Sequence, residues 1–236
     1  AARGCALVLA LVAVCTATTG LVAPRVGSLP GGAVAACVGL VSLQALVALV
    51  CLVGLLCCDP GVVRRSEGTC FPLPEAVANL LSQGESLQGL QNIACDSRTF
   101  CVRCLVWRPD GSKAHHCRVC QRCVVDFDHH CVVFGRCIAG KGFWQRKYMM
   151  PRFIGGGNMD YFCGLAAMGL AGPVTCIASV SAALLSSPDT SSHWIGGCLL
   201  GAFLLSCMTL MQRNSCLWMA IKCTARQCGC WVARRR

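Results

Sequence analysis

Residues 101–137 read CVRCLVWRPDGSKAHHCRVCQRCVVDFDHHCVVFGRC, the part of the chain that is richest in potential metal ligands. These 37 residues hold seven cysteines and four of the protein's five histidines. Two cysteines separated by two residues let a tight turn place both thiolates on one zinc ion, which takes four sulfur or nitrogen ligands. Two sites of three cysteines and one histidine each would use eight of the eleven candidates and leave one cysteine and two histidines over.

A cysteine left over from the metal sites has acid and imidazole neighbours in the run Asp128-His129-His130-Cys131. Nucleophilic catalysis needs a thiolate next to a base that an acid holds in place, and this run supplies all three groups. The alternative is that every one of these groups is a zinc ligand or a polar surface residue. The spacing by itself leaves both interpretations open.

Four apolar runs without a charged side chain surround this segment, at 4–24, 26–58, 161–188 and 190–212. Each is long enough to cross a bilayer, which takes about 20 residues of helix. The chain has 236 residues, of which 55% are hydrophobic and 13% charged, so it is too small to bury these runs in a soluble core. We expect four transmembrane helices. The first run also fits a cleaved signal peptide, because it follows Arg3 and ends in small residues.

The distribution of positive charge predicts the orientation of these helices. Residues 61–158 contain 13 lysines and arginines, and six more occur from Arg213 onwards, whereas the two short connections hold only Arg25. Cytosolic loops collect such residues, so the central segment and the C-terminus should face the cytosol. There most of the 23 cysteines should be reduced or metal-bound. The net charge of +11 suits an anionic membrane surface, and we expect no nucleic-acid partner.

The segment between the second run and the cysteines begins with Asp59-Pro60-Gly61, and proline and glycine end a helix. The rest of it, 62–100, is mainly polar. Within it, one short helix is predicted, because four apolar residues recur at helical spacing: Ala76, Val77, Leu80 and Leu81. We expect this helix to pack on the zinc module or on the membrane surface.

The cysteine and histidine spacing, the Asp-His-His-Cys run, the Asp-Pro-Gly element and the four apolar runs together resemble the DHHC protein S-acyltransferases. In that membrane family four helices carry a cysteine-rich domain between spans two and three. The resemblance implies transmembrane helices one and two at 4–58, a cytosolic linker at 59–100, the zinc domain at 101–142, an insertion at 143–157, transmembrane helices three and four at 158–212 and a cytosolic basic tail at 213–236.

The resemblance also implies a reaction. A fatty acyl group, typically palmitoyl, moves from acyl-CoA to the DHHC cysteine and then to a cysteine of a membrane-associated protein. Carried onto this sequence, Cys131 is the nucleophile, His129 is its base and Asp128 orients that imidazole. Two structural zinc ions are implied, one held by Cys101, Cys104, His116 and Cys123 and the other by Cys117, Cys120, His130 and Cys137.

Some residues depart from the family pattern. Val132-Val133 stand where Pro-Trp commonly follows the motif, and Arg136 stands where an asparagine commonly precedes the last zinc cysteine. The family's Asn-x3-Phe element corresponds to Asn158 to Phe162 only if 143–157 is an insertion. Basic residues near the interface are candidates for the phosphates of CoA and equally for membrane anchors: Arg136, Lys141, Arg146 and Lys147.

Two further features concern the membrane. The small residues of the third run, from Gly164 to Gly172, allow close helix packing or leave room for an acyl chain. The tail cysteines, Cys223, Cys228 and Cys230, are acylation candidates, or lie in an interfacial tail held by tryptophan and arginine.

We therefore predict an all-α polytopic membrane protein with a cytosolic di-zinc domain of short hairpins and loops. It would act as an S-acyltransferase in the endomembrane system or plasma membrane, with long-chain acyl-CoA, membrane proteins exposed to the cytosol and the lipid bilayer as partners. The alternative is a catalytically silent, membrane-tethered zinc module that binds acyl chains or partner proteins. A ubiquitin ligase of the RING kind needs longer gaps between ligand pairs and leaves Asp-His-His-Cys unexplained.

Overall fold

The computed structural model describes residues 1–26, 29–140 and 157–187, and beyond them residues 194, 197, 198, 201, 202 and 205. The chain divides into two compact units, one of Ala1–Cys57 with the chain from Tyr161 onwards, the other of Cys58–Asp160. Several features predicted from the sequence lie outside the described residues: most of the fourth apolar run, nearly all of the insertion at 143–157, the tail with its cysteines, and Lys141, Arg146 and Lys147.

The N-terminal part of the chain is helical. Helix α1, Ala2–Ala17, continues through a π-helical turn, Thr18–Val22, into α2, Ala23–Val26, and is followed by α3, Gly31–Cys57. Both stretches coincide with the first two apolar runs. Their most apolar windows have mean hydropathies of 2.3 and 2.6, and both are long enough to cross a membrane.

The unit Cys58–Asp160 begins with two short helices, α4, Glu67–Cys70, and α5, Glu75–Ser82. Helix α5 is the short helix predicted from the apolar spacing. Its residue Val77 is fully buried and packs with Phe100, Val102 and Trp107. The predicted helix is thus confirmed, and its apolar face covers the sheet beside the cysteine-rich segment.

Seven short strands follow, and they contradict the all-α expectation. They are β1, Ile93–Cys95, β2, Arg98–Cys101, β3, Val106–Trp107, β4, His115–Cys117, β5, Arg122–Val124, β6, Phe127–Cys131, and β7, Arg136–Ala139. Antiparallel pairing joins β1, β2 and β3 in one sheet, β4 with β5 and β6 with β7. The strands have two to five residues, too few for the alternation of apolar and polar residues that reveals a strand in a sequence.

Three hairpins share one turn geometry. Their first strands end at Cys101, Cys117 and Cys131, and the residue four positions later has a left-handed backbone in each case, at Leu105, Gln121 and Gly135. The cysteine carbonyl accepts a backbone hydrogen bond across the turn in each hairpin, from Cys104, Gln121 and Gly135 at 3.2, 2.8 and 2.7 Å. This turn presents cysteine side chains in the first two hairpins, and the third repeats it around Cys131.

The Asp-Pro-Gly element fastens the start of the unit to hairpin β4–β5. Asp59 Oδ1 accepts hydrogen bonds from the backbone N–H of Gly61 and Val62, both at 2.9 Å. Val62 pairs with Val124, and Gly61 and Val63 also hydrogen-bond the backbone of this hairpin. Partial burial opposes ionisation, but these bonds and the Arg64 ion pair lower the pKa of the Asp59 carboxyl overall.

The last described long helix, α6, Met159–Leu185, coincides with the third apolar run and is also long and apolar enough to span a membrane. Its small residues allow close packing, because a side chain at Gly164 would lie 2.7 Å from Cys51 Sγ in α3. Gln44 Nε2 donates to Thr175 Oγ1 at 2.9 Å between the same two helices. The described residues thus contain three helices suited to a membrane protein.

Candidate functional site

Two groups of cysteine and histidine side chains form the core of the hairpin region. The structure brings together Cys101, Cys104, His116 and Cys123 in one group and Cys117, Cys120, His130 and Cys137 in the other. Within each group, all the potential ligand atoms lie within 4.8 Å of one another. These are the two ligand sets expected from the family resemblance.

The geometry of both groups suits a tetrahedral zinc ion. At a Zn–S distance of about 2.3 Å, two sulfur ligands lie about 3.8 Å apart. His116 Nδ1 lies 3.1 Å from Cys104 Sγ and 3.7 Å from Cys101 Sγ. His130 Nδ1 lies 3.3 to 3.9 Å from the three sulfurs of its group. Three sulfurs and one imidazole nitrogen are donors that zinc prefers.

The pKa values of the thiols in the first group also favour the binding of a cation. Hydrogen bonds with Cys104 and Cys123 lower the pKa of the Cys101 thiol, and hydrogen bonds with Cys101 and Cys104 raise the pKa of the Cys123 thiol. One thiolate therefore forms at the expense of the others, and three thiolates side by side require a positive ion. In the second group, burial and then the neighbouring His129 lower the pKa of His130, which favours the neutral imidazole that binds metals.

The two groups interleave because of strand alternation. His116 and Cys117 are consecutive residues of β4, and successive side chains of a strand point to opposite faces. His116 therefore joins one group and Cys117 the other. Strand β4 thus contributes one potential ligand to each of the two groups.

The same alternation separates Cys131 from the metal groups. His129 and Cys131 lie two positions apart in β6 and share one face, whereas His130 lies on the other face, in the second metal group. Cys131 is fully buried and lies outside both groups. The position three residues after it holds Phe134, where the turns of the other two hairpins hold the metal-group residues Cys104 and Cys120.

A bulge places Asp128 next to His129. The register of β6 against β7 shifts between Phe127 and His129, which re-aims the residue between them. That residue is Asp128, whose Oδ2 lies 2.8 Å from His129 Nδ1. The His129 side chain is 15% exposed and the Asp128 side chain is 37% exposed, so the imidazole is partly buried while the carboxylate stays in contact with solvent.

Residues 94–144 match the family model of the DHHC palmitoyltransferase. The chain carries a domain of the DHHC palmitoyltransferase family. The DHHC domain thus contains both metal groups and the Asp128-His129-Cys131 arrangement.

Several curated proteins that are named palmitoyltransferases are similar to parts of this chain. The chain is 44% identical over 52 residues to palmitoyltransferase PFA3 of Debaryomyces hansenii, which covers 22% of this chain and 12% of that protein. It is 34% identical over 110 residues to palmitoyltransferase Hip14 of Drosophila melanogaster, covering 44% and 15%. It is 26% identical over 159 residues to palmitoyltransferase PFA3 of Yarrowia lipolytica, covering 64% and 37%. The chain thus spans little more than a third of these relatives at most.

Of the four basic residues that are candidates for the phosphates of CoA, Arg136 lies within the described part of the DHHC domain. The Arg136 Nη2 group donates to the carbonyl of Cys58 at 2.7 Å, and the other three candidates lie outside the described residues. His115 lies outside both metal groups and stacks on Phe127 with the ring centroids 5.0 Å apart.

A basic cleft in this domain was not predicted from the sequence. Its volume is about 900 Å³, and one wall is the loop 86–92. Three arginines line it, Arg103, Arg108 and Arg118, with His115 and His116, and the lining includes no acidic residue. The buried Nε2 of His116 has no hydrogen-bond partner among the described residues. These residues are scattered along the sequence, so only the hairpin arrangement brings them together.

Proposed function

We propose that this protein is a protein S-acyltransferase, which moves a long-chain acyl group, typically palmitoyl, from acyl-CoA to Cys131 and then to a cysteine of a membrane-associated protein. The observation that carries the proposal is the placement of Cys131. This thiol is buried outside both metal groups and shares a strand face with His129, whose ring is held by Asp128. A purely structural zinc module does not need that arrangement.

In the first step, the Cys131 thiolate attacks the thioester carbonyl carbon of acyl-CoA. A new S–C bond forms, the bond from carbon to the CoA sulfur breaks, and the CoA thiolate leaves. His129 takes the Cys131 proton on Nε2, because Asp128 occupies Nδ1, and returns a proton to the leaving sulfur. In the second step, a substrate thiolate attacks the acyl-Cys131 thioester and regenerates Cys131.

Zinc in the two groups would act structurally. All four ligand positions of each group are protein side chains, which leaves no open position for water or substrate. The first group fixes hairpin β2–β3 to β4–β5, and the second fixes β4–β5 to β6–β7. The ions thus hold the β6 strand that carries Cys131.

The basic cleft is our candidate for the phosphates of CoA. Arginine binds phosphate through paired N–H donors, and the cleft has three arginines without a competing carboxylate. The exposed ring of His115 adds an imidazole group to this lining. His115 also stacks on Phe127 at the start of β6, so the cleft adjoins the strand that carries Cys131.

The membrane helices would provide the dry environment that the acyl chain requires, since each buried CH₂ contributes about 0.8 kcal/mol. A small apolar cavity of about 50 Å³ lies among α1, α3 and α6, lined by residues such as Leu11, Ala48 and Leu165. This volume is far smaller than a palmitoyl chain. We propose that the complete set of four spans forms the chain-binding site, with the DHHC domain and the C-terminus on the cytosolic side.

The test is autoacylation of the purified protein with a tagged long-chain acyl-CoA, comparing the parent with Cys131→Ser. We expect a label that hydroxylamine removes, as it cleaves thioesters, and that is lost in Cys131→Ser. The other 22 cysteines make the serine variant essential. Labelling that persists undiminished in this variant, or that is absent from folded, zinc-loaded parent protein, would favour the silent zinc module.

A further inference from the structure

Strand β7 is fastened at the two points where the chain enters and leaves the unit Cys58–Asp160. At the entry, Arg136 Nη2 donates to the carbonyl oxygen of Cys58 at 2.7 Å, one residue after α3 ends. Close to the exit, Asn158 lies one residue before α6 and hydrogen-bonds β7. We call these two contacts the junction clamps.

The entry clamp acts directly opposite the nucleophile. Arg136 is the register partner of Cys131 in the β6–β7 pair. Its guanidinium is the charged donor in the bond to Cys58, and a carbonyl at the end of a helix carries partial negative charge. This contact gives Arg136 a role at the position where the family commonly has asparagine.

Asn158, the exit clamp, makes the hydrogen bonds to the outer edge of β7 that a neighbouring strand would otherwise make. Asn158 is fully buried, its Nδ2 donates to the carbonyl of Cys137 at 2.9 Å, and its Oδ1 accepts from the N–H of Ala139 at 3.0 Å. Its own N–H donates to the carbonyl of Ala139 at 2.9 Å. Gly157 before it has φ +101°, and a side chain there would collide with Ala139. One residue thus satisfies the outer edge of β7.

The metal group and the clamps constrain different parts of the hairpin. His130 and Cys137 face each other across β6 and β7 and both belong to the second metal group, so zinc would hold the middle of the hairpin. Arg136 holds the turn end of β7, and Asn158 holds its outer edge from Cys137 to Ala139. A hairpin that loses a clamp should therefore stay folded and zinc-bound, while β7 gains freedom to move. Loss of Arg136 acts directly opposite Cys131, and loss of Asn158 acts on Cys131 through the rest of β7.

We propose that Arg136 and Asn158 are positioning residues, which orient the Cys131 thiol for attack on the acyl thioester by clamping β7. This inference rests on the proposed acyltransferase function. Attack requires the sulfur to meet the carbonyl carbon at close range, and a displacement of about 1 Å costs up to about 100-fold in rate. The clamps would thus govern the rate of acyl transfer more than the binding of acyl-CoA.

The experiment measures autoacylation of the full chain, in zinc-loaded protein, for Arg136→Ala, Arg136→Lys and Asn158→Ala. Matched controls are Arg64→Ala, which removes an exposed arginine from the same unit, and Asn79→Ala, which removes an exposed asparagine from α5. We expect each alanine clamp variant to lower the rate at saturating acyl-CoA about tenfold or more. The apparent KM should change less than about twofold, and Arg136→Lys should recover part of the rate, because lysine can still donate to Cys58.

Two further measurements, zinc content and the alkylation of cysteine thiols, distinguish a positioning role of Arg136 and Asn158 from a role in folding. A clamp variant should keep two zinc ions, and its metal-group cysteines should resist N-ethylmaleimide as in the parent, scored on the peptides that carry them by mass spectrometry. Parental rates in both alanine clamp variants would overturn the inference and leave the proposed function intact. Loss of zinc with rapid alkylation of the metal-group cysteines would assign the clamps to folding instead. If labelling of the parent protein does not depend on Cys131, both the proposed function and this inference are wrong.

Discussion

Phe134 accounts for the chemical difference between Cys131 and the cysteines of the metal groups. In the first two hairpins, the position three residues after the turn cysteine holds a second cysteine of the same metal group. In the third it holds Phe134, which is 7% exposed and has no group that can bind a metal. Cys131 thus retains the turn geometry of a zinc ligand without a second thiolate beside it. This position outside the metal groups is the one that the proposed nucleophile requires.

At the same scale, the Asp128–His129 pair should determine the rate of acyl-enzyme formation. We expect His129→Ala to slow autoacylation by about 100-fold or more, since a positioned general base contributes about that much. Asp128→Asn should slow it by less, because the amide still orients the ring but supports the imidazolium poorly. Labelling with tagged acyl-CoA, quenched at a series of times, measures the autoacylation rates of both variants. Labelling at the parental rate in His129→Ala would show that another group deprotonates Cys131.

The residues of the metal groups could be predicted because the cysteine and histidine spacing is dense and matches a family pattern. The contact between Arg136 and Cys58 could not be predicted, since it joins residues 78 positions apart. The basic cleft escaped prediction for the same reason, because Arg103, Arg108 and Arg118 looked like ordinary positive charges of a cytosolic loop. Local ligand spacing is visible in a sequence, whereas contacts created by tertiary folding are not.

At the scale of elements, the apolar runs at 4–24, 26–58 and 161–188 predicted three of the described helices, because length and lack of charge identify such helices directly. The short helix α5 followed from its apolar spacing. The seven strands did not follow from any alternation pattern, so the all-α expectation was wrong. Their positions are set by the cysteine turns, whose left-handed residues are glycine in only one of three hairpins. The count of four spans remains a prediction.

Gly61 should be important for the contact between the Asp-Pro-Gly element and hairpin β4–β5. Its φ of +98° is rarely adopted by other residues, and its carbonyl accepts the N–H of Val125 at 2.8 Å. We expect Gly61→Ala to lower the free energy of unfolding of this unit by about 1–2 kcal/mol.

The control for this change is Gly68→Ala. Gly68 lies in α4 with open space around it and an ordinary helical backbone, so alanine should be neutral or stabilising there. Thermal unfolding, followed by the exposure of zinc-domain thiols to a maleimide dye, compares the two variants. Equal midpoints for both variants would contradict the expected strain at Gly61.

At the scale of the whole molecule, removal of metal should abolish activity by unfolding the hairpin region. Two-stranded hairpins of this length are unstable alone, so the ions would supply much of the folding free energy. We expect a strong chelator to release two zinc ions per chain, expose the ligand thiols and stop autoacylation. His116→Ala and Cys117→Ala should each lower zinc content and thermal stability. Unchanged zinc stoichiometry in both variants would refute their assignment as ligands.

The distribution of positive charge also makes a prediction about the whole molecule. With the arginines of 58–160 and of the tail on one side of the membrane, a C-terminal epitope tag should face the cytosol. Antibody should label the tag after the plasma membrane alone is permeabilised with digitonin, and should not label it in intact cells. A luminal epitope on the same cells serves as the control. A tag protected until internal membranes are dissolved would reverse the orientation or change the number of spans.

The two metal groups share the backbone of β4, since His116 belongs to one and Cys117 to the other. Loss of a zinc ion from one group would loosen the residue next to a ligand of the other, so the two binding steps would be coupled in free energy. A coupled pair fills over a narrower range of free metal than two independent sites, and half-loaded chains stay scarce. Zinc supply would then set how many copies of the protein are competent, while the turnover of each competent copy stays the same.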